Sequence, residues 1–201
     1  MFEELAKKAL EDQYFIDLLL KAEKYSAHSF FKLQAAALSE KEFIDLLRFG
    51  DILSHSINPD AKNKAYKIVS LLAEDLDKAS IFKSYATAIL SKLGNFPALQ
   101  FLTDTLDYQE KLPFERELEK KLKEEVQKVP HEKVFFTDSQ YQIFEELKLN
   151  NHFSFSGPTS LGKSFIIESF IKYIISKDKK NIIVLVPTRA LINQVTLKLK
   201  K

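Results

Sequence analysis

Cysteine is absent from the sequence, so the chain can form no disulfide framework and perform no thiolate chemistry. The four histidines are scattered and none stands in an H-E-x-x-H pattern, which argues against a zinc site. No window approaches the roughly 18 to 20 consecutive apolar residues that a membrane span needs. The first residues, MFEELAKKALEDQ, mix acids and bases from the start, unlike a signal peptide. These absences favour a cytoplasmic protein.

The net charge of +2 hides an asymmetry between the two ends of the chain. Residues 131–201 carry 11 lysines and arginines against 6 acids, whereas residues 1–130 carry 19 against 22. A basic surface at the C-terminal end would suit a polyanion such as a nucleotide or a nucleic acid. An excess of this size does not establish such a partner by itself.

Residues 1–129 predict an all-helical domain of six to eight helices joined by short turns. Ser39 and Glu42 spell a capping box, and Asn58 before Pro59 predicts another helix start. Gly94 predicts a helix stop. The charged run FERELEKKLKEEVQKV predicts a long exposed or bridging helix. One apolar stripe at the 3.6-residue period comprises Ala65, Ile68, Val69, Leu72, Ala73 and Leu76. Stacked helical hairpins and a compact irregular helical domain both remain open.

The pattern changes near residues 128–135, around Pro130. Two short apolar runs follow, FSFS at 153–156 and NIIVLV at 181–186, and each predicts a strand. The segment KSFIIESFIKYIISK between them is long enough for a crossover helix. The predicted fold class is therefore mainly α, with a helical domain over 1–129 and a partial α/β segment, one βαβ unit, over 130–201.

A phosphate-binding loop is spelled between these runs. The stretch GPTSLGKS at 157–164 matches the Walker A pattern G-x-x-x-x-G-K-[ST] in full. Backbone N–H groups in such a loop form a concave anion site, and the following helix adds its dipole. Lys163 is expected to reach the β- and γ-phosphates, and Ser164 to place a hydroxyl on Mg²⁺. The expected cofactor-binding residues of the loop are Gly157, Pro158, Thr159, Ser160, Leu161, Gly162, Lys163 and Ser164.

Three features of residues 133–201 resemble superfamily-2 helicases of the DEAD/DEAH type. Pro158 and Thr159 follow the first glycine as in motif I of that group, and VPTRALINQ at 186–194 looks like its motif Ia. FTDSQYQIF at 136–144 places Gln140 at 23 residues before Lys163, where these helicases keep an adenine-reading glutamine. The Thr-Ser-x-Gly-Lys-Ser spelling is also similar to that of helicases in bacterial anti-phage defence operons.

The resemblance implies a RecA-like ATPase that uses ATP and Mg²⁺ and acts on DNA or RNA. Lys163 and Ser164 would be the catalytic residues, and Gln140 would hydrogen-bond the adenine edge, with Gln142 as the competing candidate. Phe135 or Phe136 would stack on the base or belong to the core. The residues implied for the nucleic-acid backbone are Pro187, Thr188 and Arg189, with Gln194 as a weaker candidate.

The sequence departs from the family in two respects that bear on activity. No D-E-x-[DH] motif occurs, and the second motor domain with its arginine finger is not present. We therefore expect the N-terminal part of a helicase or translocase that binds nucleotide at most and does not turn over ATP by itself. The alternatives are a helical protein-interaction module (residues 1–129) carrying an inactive P-loop remnant, and an unrelated P-loop NTPase, which VPTRALINQ disfavours.

Overall fold

The computed structural model describes residues 1–31, 33, 37–73, 79–106, 112–150, 152–178 and 181–199. Within these ranges the chain forms ten α-helices and, among the same residues, no β-strand. The helices are α1 (Phe2–Glu11), α2 (Gln13–Phe30), α3 (Glu40–Ser54), α4 (Pro59–Leu72), α5 (Ala79–Lys92), α6 (Phe96–Leu106), α7 (Phe114–Gln127), α8 (Asp138–Leu149), α9 (Lys163–Asp178) and α10 (Arg189–Leu199). The prediction of a mainly helical protein is confirmed.

The chain divides into two compact units, Met1–Val126 and Gln127–Lys201. In the first unit α3 packs against α1, α2, α4 and α5. Its core consists of large apolar side chains removed from solvent, which include Phe15, Phe43, Leu46, Leu47, Leu53, Ile68, Ile89, Leu90 and Phe96. Burial of this apolar surface is the main force that holds the helices together.

The predicted helix boundaries of the first unit rest on local side-chain caps. Ser39 and Glu42 form the capping box in both directions, with Ser39 N donating to Glu42 Oε2 over 2.8 Å. Asn58 accepts from the amide of Asp60 at the start of α4. Helix α5 ends at Lys92, just before Gly94, which has a φ of 63°. Of the predicted apolar stripe, Ala65, Ile68, Val69 and Leu72 are buried on α4, whereas Leu76 lies outside the described residues.

Helix α7 contacts the other helices of the first unit through charged side chains. Arg116 donates to both carboxylate oxygens of Asp51 in α3, over 2.9 and 3.0 Å. Lys92 of α5 donates to Glu119 over 2.7 Å, and Lys123 donates to the carbonyl of Lys92 over 2.8 Å. The opposite face of α7 exposes an apolar stripe of side chains four residues apart, namely Phe114, Leu118, Leu122 and Val126.

The second unit is built around a small aromatic core. The buried cluster at its centre consists of Val129, Phe136, Phe144 and Ile166, and the rings of Phe136 and Phe144 lie 4.9 Å apart. Helices α8 and α9 pack together, and α9 also contacts α10. A short antiparallel bridge between Lys128 and Phe135 leads the chain into α8. This packing fixes the start of α9, within the Walker A stretch 157–164.

Neither predicted strand is present among the residues that the structure describes. Residues 153–156 and 181–186 are neither helical nor paired with a strand among the described residues. In the second run Ile183 and Leu185 are 86% and 90% exposed, so this apolar segment is not covered as a central parallel strand would be. A strand requires hydrogen-bonded neighbours, and two strands alone are marginal in water. The helix predicted between the two runs is present as α9.

No helix of the described residues combines the length and the apolar composition that crossing a membrane would require.

Candidate functional site

The Walker A stretch forms a closed turn that leads into α9. Pro158 is extended and precedes one turn of 3-10 helix at Thr159–Leu161, in which the amide of Leu161 donates to the carbonyl of Pro158 over 3.1 Å. Gly162 then adopts the left-handed conformation, with φ 75° and ψ 34°, and α9 begins at Lys163. The loop therefore reverses direction within five residues, as a cradle for an anion requires.

The geometry requires glycine at Gly162, and at Gly157 a larger residue would force the end of the Leu161 side chain to move. A Cβ atom added to Gly157 would lie 2.5 Å from Leu161 Cδ2, closer than non-bonded carbon atoms approach. Gly162 has the positive φ that side chains rarely adopt, and a Cβ there would lie 2.9 Å from Gln140 Nε2. The loop is thus tightly packed against its own leucine and against α8.

The ammonium group of Lys163 folds back over the loop. It donates to the carbonyl of Gly157 over 2.6 Å and to that of Pro158 over 3.0 Å. A lysine ammonium has three donors, so these two contacts leave a third for another acceptor. The side chain consequently sits as a positive charge at the rim of the turn, where a phosphate oxygen could be bound.

The first turn of α9 adds backbone donors to this charge. The amides of Phe165 and Ile166 both donate to the carbonyl of Gly162, over 2.9 and 3.1 Å. The amides of Lys163 and Ser164 are the first two of the helix, and the first amides of a helix have no intrahelical acceptor. The hydroxyl-bearing Ser164 is exposed at the same position. The helix dipole favours an anion here.

Gln140 lies beside the loop and is held from both sides. The side-chain Oε1 of Gln140 accepts from the backbone amide of Thr137 over 3.0 Å. The backbone amide of Gln140 donates to Thr137 Oγ1 over 3.4 Å, which completes a capping box at the start of α8. Its Nε2 donates to the carbonyl of Leu161 over 3.0 Å. Gln142, the competing candidate, is exposed on α8.

The aromatic candidates before α8 differ in environment. Phe136 is 1% exposed in the core, with its ring 4.9 Å from Phe144 and 5.5 Å from Phe165. It therefore has no free face for a base. Phe135 is half-buried.

The proposed nucleic-acid residues lie at the start of α10. Pro187, Thr188 and Arg189 are all exposed. Thr188 caps the helix, because the amide of Leu191 donates to its Oγ1 over 3.4 Å and the amide of Ile192 to its carbonyl over 3.2 Å. Arg189 is the first residue of α10. The side chain of Gln194 lies outside the described part of the chain.

The donor set fits a nucleotide-borne Mg²⁺ better than an independent metal site. Across the described residues there is no group of three or more histidine, cysteine, aspartate or glutamate side chains that could hold a metal ion. The exposed Ser164 hydroxyl is a hard oxygen donor of the kind that Mg²⁺ accepts, and this ion commonly takes its other ligands from phosphates and water. Ser164 at the helix start is thus compatible with such an ion.

The contact between Gln140 and Leu161 was not predicted. The spelling T-D-S-Q at 137–140 is a capping-box signature, so the helix start could have been found from the sequence. The bond to Leu161 joins residues 21 apart and has no sequence signal.

Comparison with models of protein families finds a match over the C-terminal part of the chain. The family model for the DEAD/DEAH box helicase matches residues 137–201. No curated protein and no solved structure matches the chain. The family match begins at the capping threonine of α8 and includes the phosphate loop and the start of α10. It confirms the resemblance drawn from the motifs, for about the last third of the chain.

Proposed function

We propose that this chain, which carries a DEAD/DEAH-type helicase fragment at 137–201, binds ATP with Mg²⁺ at the loop 157–164. It would be the N-terminal part of an ATP-dependent helicase or translocase that acts on nucleic acid. The single observation that supports this most is the closed turn around Lys163, with Gly162 left-handed at the start of α9. In this proposal residues 1–129 are a helical accessory domain, and residues 130–201 open a RecA-like domain.

Each loop residue has a role that follows from its position. Lys163 would exchange its carbonyl contacts for phosphate oxygens, since both are acceptors for an ammonium donor. The amides of Lys163 and Ser164 would bind phosphate at the helix start, and the Ser164 hydroxyl would bind Mg²⁺. Gln140 would hydrogen-bond the adenine edge through the second hydrogen of Nε2 and the second lone pair of Oε1, which its present contacts do not use. Bound ATP would supply the free energy of phosphoryl transfer.

Residues 187–189 are proposed to face a nucleic-acid strand. Arg189 is exposed at the start of α10, where its guanidinium would contact a backbone phosphate without reading sequence. Such a contact weakens as salt concentration rises, because it displaces condensed counterions. A role in bacterial anti-phage defence is part of the proposal and is supported only by the spelling of the loop.

Nucleotide binding by the whole chain, with and without Lys163→Ala, tests the proposal. We expect the unaltered chain to bind ATP–Mg²⁺ and the variant to lose about tenfold or more in affinity, since a charged hydrogen bond contributes about 1.5–3 kcal/mol. Lys177→Ala removes an ammonium group from the last turn of the same helix and should bind as the unaltered chain does. Equal ATP affinity of the Lys163 variant and the unaltered chain would contradict the proposal.

A second candidate function, a helical protein-interaction module with an inactive P-loop remnant, is favoured by the outer face of α7. Phe114 and Leu122 of its apolar stripe are 80% and 61% exposed. Aligned exposed apolar side chains are typical of a surface that binds another helix. Leu118→Glu with Leu122→Glu should then abolish capture of a partner without changing nucleotide binding. If the double variant captured a partner as well as the unaltered chain does, the result would count against this function.

A further inference from the structure

The amide group of Gln140 connects two parts of the second unit that are far apart in sequence. Its oxygen caps α8 by accepting from the amide of Thr137, and its nitrogen donates to the carbonyl of Leu161 in the phosphate loop. A glutamine side-chain amide has one acceptor oxygen and two donor hydrogens. One side chain therefore ties the loop to the first turn of α8.

The bonded carbonyl belongs to the residue just before the left-handed turn. Leu161 ends the 3-10 turn, Gly162 follows with φ 75°, and Lys163 starts α9. The nitrogen of Gln140 also packs against Gly162, since a Cβ there would lie 2.9 Å from it. If the side-chain amide of Gln140 moved, the Leu161–Gly162 peptide would lose the hydrogen bond that orients it, and Gly162 would lose its contact with Nε2.

We propose that Gln140 is a positioning residue of the phosphate site. By holding the carbonyl of Leu161, it keeps the Gly162 turn and the first amides of α9 in the orientation that binds an anion. It does so whichever base the nucleotide carries. This inference rests on the proposed function of the loop and adds to adenine reading a role that acts through the backbone.

Positioning and base reading predict different ligand dependence. A residue that only reads adenine contributes nothing to the binding of inorganic tripolyphosphate, which has no base. A residue that positions the loop contributes equally to tripolyphosphate and to ATP, because both bind through the same amides and the same lysine.

The experiment measures the affinity of the whole chain for ATP–Mg²⁺ and for tripolyphosphate–Mg²⁺, with Gln140→Ala. We expect the variant to lose about three- to tenfold in affinity for tripolyphosphate–Mg²⁺, the range of one lost hydrogen bond, and at least as much for ATP–Mg²⁺, because ATP would also lose the proposed adenine contact. Gln100→Ala makes the same change at an exposed position of α6 and should alter neither affinity. A loss confined to ATP, or no loss for either ligand, would overturn the inference.

A second measurement needs no ligand and separates positioning from helix capping. Glutamate can replace glutamine as the acceptor of a capping box but cannot donate to a carbonyl when ionised. Amide hydrogen exchange at Leu161, whose N–H donates to Pro158, should therefore accelerate several-fold in both Gln140→Glu and Gln140→Ala. If the amide of Leu161 exchanged at the same rate in Gln140→Glu as in the unaltered chain, Gln140 would act only as a helix cap, and the inference would be overturned. If the unaltered chain bound neither ligand while exchange accelerated, the proposed function would fail and the positioning of the loop would stand.

Discussion

His55 is a half-buried residue of the first unit whose charge state bears on the stability of that unit. Burial lowers the pKa of the imidazole, and the nearby Lys92 ammonium lowers it further, whereas Asp51 acts against both. The ring stacks on Phe2 at 4.4 Å, and Arg116 and Glu119 are the other charged groups close to it. The folded chain therefore favours the neutral imidazole, and the unfolded chain protonates more readily.

Stability should consequently fall as the pH is lowered through about 6.5, the ordinary pKa of histidine, toward the depressed pKa of His55. Over that window the unfolded state binds more protons, so the free energy of unfolding decreases with falling pH. We expect His55→Gln to flatten this part of the curve in urea denaturation between pH 7.5 and 5.5. His152→Gln, at an exposed position, is the control and should keep the slope. Parallel curves for both variants would refute the assignment.

At this same scale, the caps were predictable and the loop contact was not. Ser39 with Glu42 and Asn58 with Asp60 interact over two or three residues, so the local spelling contains both partners. The Lys21 ammonium, together with the capping box, lowers the pKa of Glu42 to about 2, and Lys21 is 21 residues away. That ion pair, like the bond from Gln140 to Leu161, depends on tertiary packing, which no pattern in a single sequence contains.

At the scale of elements, α7 was predicted as a charged helix, exposed or bridging, but the face that it turns inward was not. Its inner face carries Arg116, Glu119 and Lys123, and its apolar stripe faces outward. Helical periodicity separates two faces of a helix without stating which one contacts the protein. The ion pairs with Asp51 and Lys92 determine which face of α7 contacts the other helices, and both residues lie far from α7 in sequence.

Arg116→Met should therefore loosen α7 from α3. The bidentate pair with Asp51 is partly exposed, so we expect a loss of about 1 kcal/mol in the free energy of unfolding, at the upper end of exposed pairs. The loss should shrink at high salt, because screening already weakens the pair. Urea denaturation at low and high salt measures both effects. Arg48→Met breaks the more exposed pair with Asp45 and should cost less. A salt-independent loss would show that packing of the arginine stem is the cause.

The predicted strands failed at this scale for a different reason. The run NIIVLV at 181–186 has the β-branched composition of a buried strand. This composition indicates that the segment would form a strand if neighbouring strands were present. A strand forms only with a hydrogen-bonded neighbour. The helix between the two runs formed because its hydrogen bonds are internal.

For the whole molecule, the evidence for function is concentrated in the second unit. The helicase family match starts at residue 137, and the phosphate loop, Gln140 and Arg189 all follow it. The excess of basic side chains lies in the same part of the sequence. The first unit contributes a helical core and the exposed stripe of α7. The sequence motif predicts a phosphate-binding loop because the proposed chemistry depends on backbone geometry within eight consecutive residues.

The last prediction concerns ATP turnover by the whole chain. Phosphoryl transfer to water depends on groups that position the water and stabilise the developing charge. The sequence contains no D-E-x-[DH] motif, and the described residues hold no cluster of acidic or histidine side chains suited to a metal ion. We expect ATP to bind without release of phosphate above the rate in buffer, and Lys163→Ala to leave that rate unchanged. Phosphate release that requires Lys163 would show that the loop and its neighbours supply these groups in a way that the motifs do not reveal.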